Sequence, residues 1–128
     1  MGVVEMVLLV DDDEDLCDAV GDVLLTAGVQ ECLCFASLAD VQGRAAEALR
    51  SGLAIVDVNL GHDCPNGVDV CDWLRNNGYA KPVVFMTGHA TGDPRLTAAL
   101  KRPDTRLMLK PFSIDALVQV LRYDNQGP

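Results

Sequence analysis

The sequence predicts a doubly wound α/β fold, with five parallel strands in one sheet and helices on both of its faces. Three observations carry this. Short apolar runs alternate five times with segments of helical periodicity. The runs are apolar at nearly every residue, as strands covered on both faces must be. Four of them end in polar residues, and sites in such sheets lie outside the carboxyl ends of the strands.

The elements follow in order. A strand near residues 4–10 precedes a helix near 14–27, with Leu16, Val20, Val23, Leu24 and Ala27 on one face and Gly28 as its stop. A strand follows near 31–35. Ser37 then caps a helix running to about Arg50, with Leu38, Val41, Ala45 and Leu49 inward and Gly43 weakening it. The third strand is 53–58, and its loop, Asn59 to Asn66, is rich in Gly, Asp, Pro and Asn. A helix over 67–76 carries Val70, Cys71 and Leu74. Gly78 and Pro82 bracket a turn before the fourth strand, 83–87. A short helix is expected around Pro94–Lys101, with Pro94 suited to a first turn. The fifth strand is 105–109, and a last helix from Ser113 to about Tyr123 presents Ile114, Leu117, Val118 and Leu121 as its apolar stripe.

Bulk composition narrows the function. At 128 residues, 49% apolar and 23% charged, the chain suits one globular domain with a real core. Apolar runs reach about five residues, far short of a membrane span, and no secretory signal is visible. Ten basic residues against 19 acidic ones give a net charge of −9, which opposes direct nucleic-acid binding and anionic membranes. Five cysteines, an odd number without extracellular context, imply reduced thiols and a cytoplasmic setting. Cys32 and Cys34 share a face of the second strand. His62, Cys64 and Cys71 match no closed four-ligand zinc spacing.

The strand ends carry the chemistry. Val7-Leu8-Leu9-Val10 runs into Asp11-Asp12-Asp13, Ile55-Val56 into Asp57, Phe85-Met86 into Thr87, and Leu107-Met108-Leu109 into Lys110. Parallel strands bring these residues to one edge. Two carboxylates about 5 Å apart repel by roughly 3 kcal/mol at an effective dielectric near 20. Asp11, Asp12 and Asp57 against Lys110 leave two negative charges, which one Mg²⁺ neutralises. Magnesium favours a few carboxylates plus water and phosphate oxygens. A carboxylate can also be a nucleophile toward phosphorus, with Lys110 and Thr87 holding the other oxygens. Each residue alone has a plainer use: Asp12 or Asp13 as a helix cap, Asp57 and Thr87 as strand ends, Lys110 on the surface. Their coincidence at four strand ends favours the joint reading.

These motifs, in this order and at this spacing over nearly the whole chain, resemble the receiver domain of two-component response regulators. The resemblance implies a flavodoxin-like sheet of order 2-1-3-4-5 with five helices. It implies a receiver domain over 1–124 with a short tail, 125–128. Asp57 would accept a phosphoryl group from a histidine kinase or histidine phosphotransfer protein. Asp12 would ligate Mg²⁺ directly, Asp11 largely through water, and the Asn59 carbonyl would be a further ligand. Thr87 and Lys110 would hold the phosphoryl group, and the Lys110–Pro111 bond would be cis. Such a domain is not an enzyme beyond its own phosphorylation and dephosphorylation. It signals to an output protein, and a homodimer is among the assemblies the resemblance allows.

The chain also departs from the family pattern. Leu107 stands where Tyr or Phe usually acts as a rotameric switch. Gly88 replaces the usual Ala after Thr87, and Gly61 the usual Pro. The loop Gly61–Asn66 is about two residues longer. Asn59 and His89 occupy positions that tend to tune phosphoryl lifetime in the family, and the same is expected of them here. Three other readings compete. A Mg²⁺-dependent phosphohydrolase with an Asp nucleophile is opposed by Asp15 in its motif and by the short chain. A flavin carrier is opposed by the acidic triplet Asp11-Asp12-Asp13 where phosphate would sit. A receiver acting without phosphorylation is kept open by Leu107.

Overall fold

The computed structural model describes residues 4–61, 65–88, 94–110 and 112–121. Within them lie β1 (Met6–Val10), α1 (Glu14–Thr26), β2 (Glu31–Phe35), α2 (Leu38–Gly43), α3 (Ala45–Ala48), β3 (Leu53–Asp57), α4 (Gly67–Asn76), β4 (Val83–Thr87), α5 (Pro94–Leu100), β5 (Thr105–Leu109) and α6 (Ile114–Leu121). The strands are all parallel, in the order β2-β1-β3-β4-β5. The chain steps outward from β1 to β2, then crosses back to β3. The strand order therefore reverses between β1 and β3, where a doubly wound sheet opens its crevice.

Alternation along the strands builds two cores. Leu8, Val10, Ala54, Val56, Val83 and Phe85 face α2–α5 and meet Val41, Ala48, Val70, Leu74 and Leu96. Val7, Leu9, Leu53, Ile55, Val84 and Met86 face α1 and α6 and meet Val20, Leu24, Leu117 and Leu121. No helix among the described residues is long and apolar enough to cross a membrane.

Local signals set most element ends. Asp13 caps α1, its side chain accepting from the Leu16 N–H at 3.2 Å. Gly28, at φ +113°, ends α1 in the left-handed region that favours glycine. Its turn closes with Val29 N donating to Leu24 O at 3.0 Å. Asn66 and Asp69 form a capping box on α4.

Four expectations need correction. The single helix expected over 37–50 is two, α2 and α3, so the described helices number six rather than five. The break falls at Arg44 (φ −129°, ψ 44°), directly after Gly43. Arg44 reaches forward to Glu47 and lies over the Phe35 ring, 5.6 Å from its centre. The buried face of α1 is Cys17, Val20, Gly21 and Leu24, while Leu16, Val23 and Ala27 flank it. Ile114 is 65% exposed, so the α6 stripe rests on Leu117, Val120 and Leu121. Strand β1 starts at Met6 rather than near residue 4.

Candidate functional site

The register brings the polar strand ends together. Asp11 follows β1, Asp57 closes β3, Thr87 closes β4, and Lys110 follows β5. Thr87 is level with Leu109, and Lys110 N donates to Thr87 O at 2.8 Å. Asp11, Asp12, Asp13, Asp57, Thr87 and Lys110 line one cleft of about 400 Å³, with Asn59, Gly61 and Gly88 at its sides.

The three adjacent acids divide the work. Asp11 is 2% exposed and holds the Asp13 N–H through Oδ1 at 2.9 Å. Asp12 is exposed, and Asp13 turns away to cap α1. Asp57 is 6% exposed, and its Oδ1 accepts from Asn59 N at 3.1 Å. Lys110 Nζ bridges the buried pair, 3.3 Å from Asp11 Oδ2 and 3.2 Å from Asp57 Oδ2. Among the described residues, carboxylate oxygens of Asp11, Asp12 and Asp57 lie within 4.8 Å of one another.

Electrostatics at the cluster are strained in one direction. Burial and then the Asp11 charge push the Asp57 carboxyl above its usual range, against the pull of the Asn59 N–H and Lys110. Burial pulls Lys110 down, but Asp57 and Asp11 outweigh it and hold the ammonium above its ordinary value. The site is thus short of positive charge.

The donor set fits a hard divalent ion. It offers only oxygens, bears two more negative than positive charges, and includes one exposed carboxylate. Opposite oxygens on a six-coordinate Mg²⁺ stand roughly 4 Å apart, so carboxylates spread over this cluster reach one ion directly or through its waters. The cluster can therefore hold a divalent cation and a dianionic group beside the buried carboxylate of Asp57.

Gly67 was expected only to open a helix, and the structure gives it a second role. A Cβ there would meet Asp57 O at 2.3 Å and Val58 Cα at 2.9 Å. Gly67 N also donates to Val58 O at 2.9 Å. The start of α4 thus buttresses the strand end carrying Asp57. The sequence signal was the Asn66-Gly67 pair after a polar loop, which marks a cap but not a close approach.

Leu107 lies on the edge strand β5 and is 40% exposed. Leu109, also expected in a buried strand, is exposed for the same reason: nothing pairs beyond β5 among the described residues. His89 and Pro111, with the expected cis bond, lie outside the described residues, as do His62 and Cys64.

Comparison with known proteins agrees with this arrangement. The family described as the response regulator receiver domain matches residues 7–122. The nitrogen assimilation regulatory protein NtrX of Azorhizobium caulinodans is 29% identical over 116 residues, covering 89% of this chain and 24% of NtrX. The response regulator protein TodT of Pseudomonas putida is 30% identical over 121 residues, covering 91% of this chain and 49% of TodT. The chain thus spans half or less of these curated relatives. Among solved structures, the chemotaxis protein CheY4 of Vibrio cholerae superposes with a TM-score of 0.78 at 25% identity, over 92% of this chain and 96% of that one. A CheY-like receiver from Methanospirillum hungatei shares the fold, with a TM-score of 0.81 at 18% identity over 94% of this chain and 93% of that one. This chain belongs to the receiver domains of two-component response regulators.

Proposed function

We propose that Asp57 is the phosphoacceptor of this receiver, taking a phosphoryl group from a histidine kinase or histidine phosphotransfer protein. The observation that carries the reading is the Lys110 ammonium bridging Asp57 and Asp11 at 3.2 and 3.3 Å, with Asp12 beside them. An Asp57 oxygen attacks phosphorus, and the bond from phosphorus to the donor's imidazole nitrogen breaks as the new P–O bond forms. The imidazole leaves with the electron pair of the broken bond. Asp12, Asp57 and the Asn59 carbonyl would hold Mg²⁺, with Asp11 in support. The ion supplies positive charge that screens the incoming group from the carboxylates.

This chain's residues do the rest. Lys110 exchanges its contact with Asp57 for one with a phosphoryl oxygen, and Thr87 takes another. The Asn59 N–H keeps Asp57 Oδ1 occupied, which leaves Oδ2, the oxygen that Lys110 now holds, to meet phosphorus. The domain, residues 1–124 with tail 125–128, acts in the cytoplasm by contact with an output protein and not by binding nucleic acid itself. NtrX and TodT are longer than this chain, so an output segment in the same polypeptide is one arrangement to test. A homodimer is another; one structural neighbour is the beryllofluoride-activated NtrC4 receiver domain dimer.

Beryllofluoride, a phosphoryl mimic, tests the reading without a donor protein. With Mg²⁺ it should shift the amide resonances of Asn59, Thr87 and Lys110, and neither reagent alone should reproduce the full change. A spectrum unmoved by the pair together would contradict the assignment and favour a receiver that works without phosphorylation.

A further inference from the structure

We propose that Asp69 is a positioning residue for the phosphorylation of Asp57, and that Arg95 of α5 acts on the site through it. The inference rests on the reading of Asp57 as the phosphoacceptor. Neither Asp69 nor Arg95 lines the cleft around Asp57, so neither touches the reacting atoms.

The path starts at the strand end. The Asp57 carbonyl and Val58 lie so close to Gly67 that no Cβ fits there, and Gly67 N donates to Val58 O at 2.9 Å. The residue before Gly67 is Asn66, the N-cap of α4. Its side chain accepts from Val68 N and Asp69 N at 2.8 and 3.2 Å. Its backbone N–H is held separately, by Asp69 Oδ2 at 2.8 Å. Asp69 therefore fixes the backbone one residue ahead of the contact with the Asp57 strand end, and it does so whatever side chain stands at 66.

The other oxygen of Asp69 reaches out of α4. Oδ1 accepts from Arg95 Nη2 at 2.5 Å, and the same nitrogen lies 3.4 Å from Asp72 Oδ2. Arg95 stands in the first turn of α5, the helix that follows β4 and its terminal Thr87. One carboxylate thus takes a donor from the entry to α4 and another from the start of α5. The Arg95 guanidinium holds the Asp69 carboxyl below its usual range, and a charged carboxylate is the stronger acceptor for the Asn66 N–H. The Arg95 and Asp69 side chains are 50% and 34% exposed, so their pairing adds little to global stability. What it adds is orientation. With Oδ1 engaged, the carboxylate cannot turn Oδ2 away from Asn66 without breaking an ion pair.

Arg102 is the internal contrast. It pairs with Asp72 Oδ1 at 3.1 Å, one turn further along α4 than Asp69. Removing Arg95 or Arg102 changes the net charge equally, so a difference between them is not an effect of the overall field. Coupling between sites is also reciprocal. A group bound on Asp57 would alter the hold of Arg95 on α4 in return, which links α5 to the site by a route that does not pass through Leu107. Leu107 does not line the cleft.

The test compares the parent chain with Arg95→Ala, Asp69→Ala, the two together, Arg95→Lys and Arg102→Ala. Each is titrated with beryllofluoride in excess Mg²⁺ and followed by the amide resonances of Asn59 and Gly67. Arg95→Ala and Asp69→Ala should each weaken binding by about threefold to tenfold, within the range for residues that couple to a site without touching it. The double variant should bind no more weakly than Asp69→Ala alone. Arg95→Lys should recover part of the loss, and Arg102→Ala should match the parent. Thermal melts of Arg95→Ala and Arg102→Ala should agree, which separates positioning from stability. Parental binding by Arg95→Ala, additive losses in the double variant, or an equal loss in Arg102→Ala would overturn the proposal while leaving Asp57 as acceptor. A parent chain that does not take up beryllofluoride with Mg²⁺ would overturn the phosphoacceptor reading itself, and this role with it.

Discussion

Asp57 is a carboxylate kept almost out of water beside a second one, Asp11, with a single ammonium between them. Its raised pKa has a consequence for stability. Between the ordinary carboxylate range and the raised value, the folded state binds more protons at Asp57 than the unfolded state does. Stability contributed at this residue therefore falls as pH rises through that window. Asp57→Asn removes the charge, so with Mg²⁺ chelated it should melt higher than the parent at neutral pH. The gain should disappear below the ordinary carboxylate range. Thermal melts of both proteins across pH check this, and an Asp57→Asn protein that melts lower at neutral pH would contradict it. Lys110→Met acts oppositely, leaving two carboxylates without their shared donor. A loss of about 1–3 kcal/mol is expected, less than for a fully buried pair because Lys110 is 25% exposed. Mg²⁺ should recover part of that loss in urea titrations, since it supplies the missing positive charge.

At the scale of elements, the start of α4 decides where Asp57 sits. Gly67→Ala would force a Cβ against the Asp57 carbonyl, so strand and helix must separate. The expected cost is about 1–3 kcal/mol, the usual range for overpacking. Mg²⁺ affinity should fall with it, and titration of the folded variant measures that. Unchanged affinity would mean that the strand end does not depend on this contact. Asn66→Ala, which removes only the cap, should cost about 1 kcal/mol and leave Mg²⁺ affinity nearly intact.

Legibility also varied by element. Strands 83–87 and 105–109 and the helix expected at about 67–76 lie where they were read, because Gly, Pro and Asn punctuate their ends. The break at Arg44 was not, since Gly43 weakens a helix without saying where it parts. On α1 the expected stripe faces the core, with Val20 and Leu24 fully within it, and only the burial of Cys17 and Gly21 was not legible. Leu16, Val23 and Ala27 pack against the same core at its flank.

For the whole molecule, the strand order places every polar strand end on one rim, so the candidate site was legible wherever a residue ends a strand. Asp11, Asp57, Thr87 and Lys110 are such residues. Two features were not legible. The division of labour among Asp11, Asp12 and Asp13 depends on which acid turns inward after β1, and the Gly67 contact joins residues ten apart through the fold. The exposure of Leu107 follows from topology too, since β5 is the sheet edge. Leu107→Ala should therefore change stability by less than about 1 kcal/mol in urea titrations, as exposed substitutions generally do. A larger loss would mean that this face is packed in solution.

The role proposed for Asp57 is to take the phosphoryl group with the help of Mg²⁺. The most direct measurement is the intact mass of the protein after incubation with acetyl phosphate, with and without Mg²⁺, alongside Asp57→Asn. Addition of a single phosphoryl group that requires Mg²⁺ and is absent from Asp57→Asn is expected. Equal addition to Asp57→Asn would contradict it, because the acceptor would then lie elsewhere in the chain.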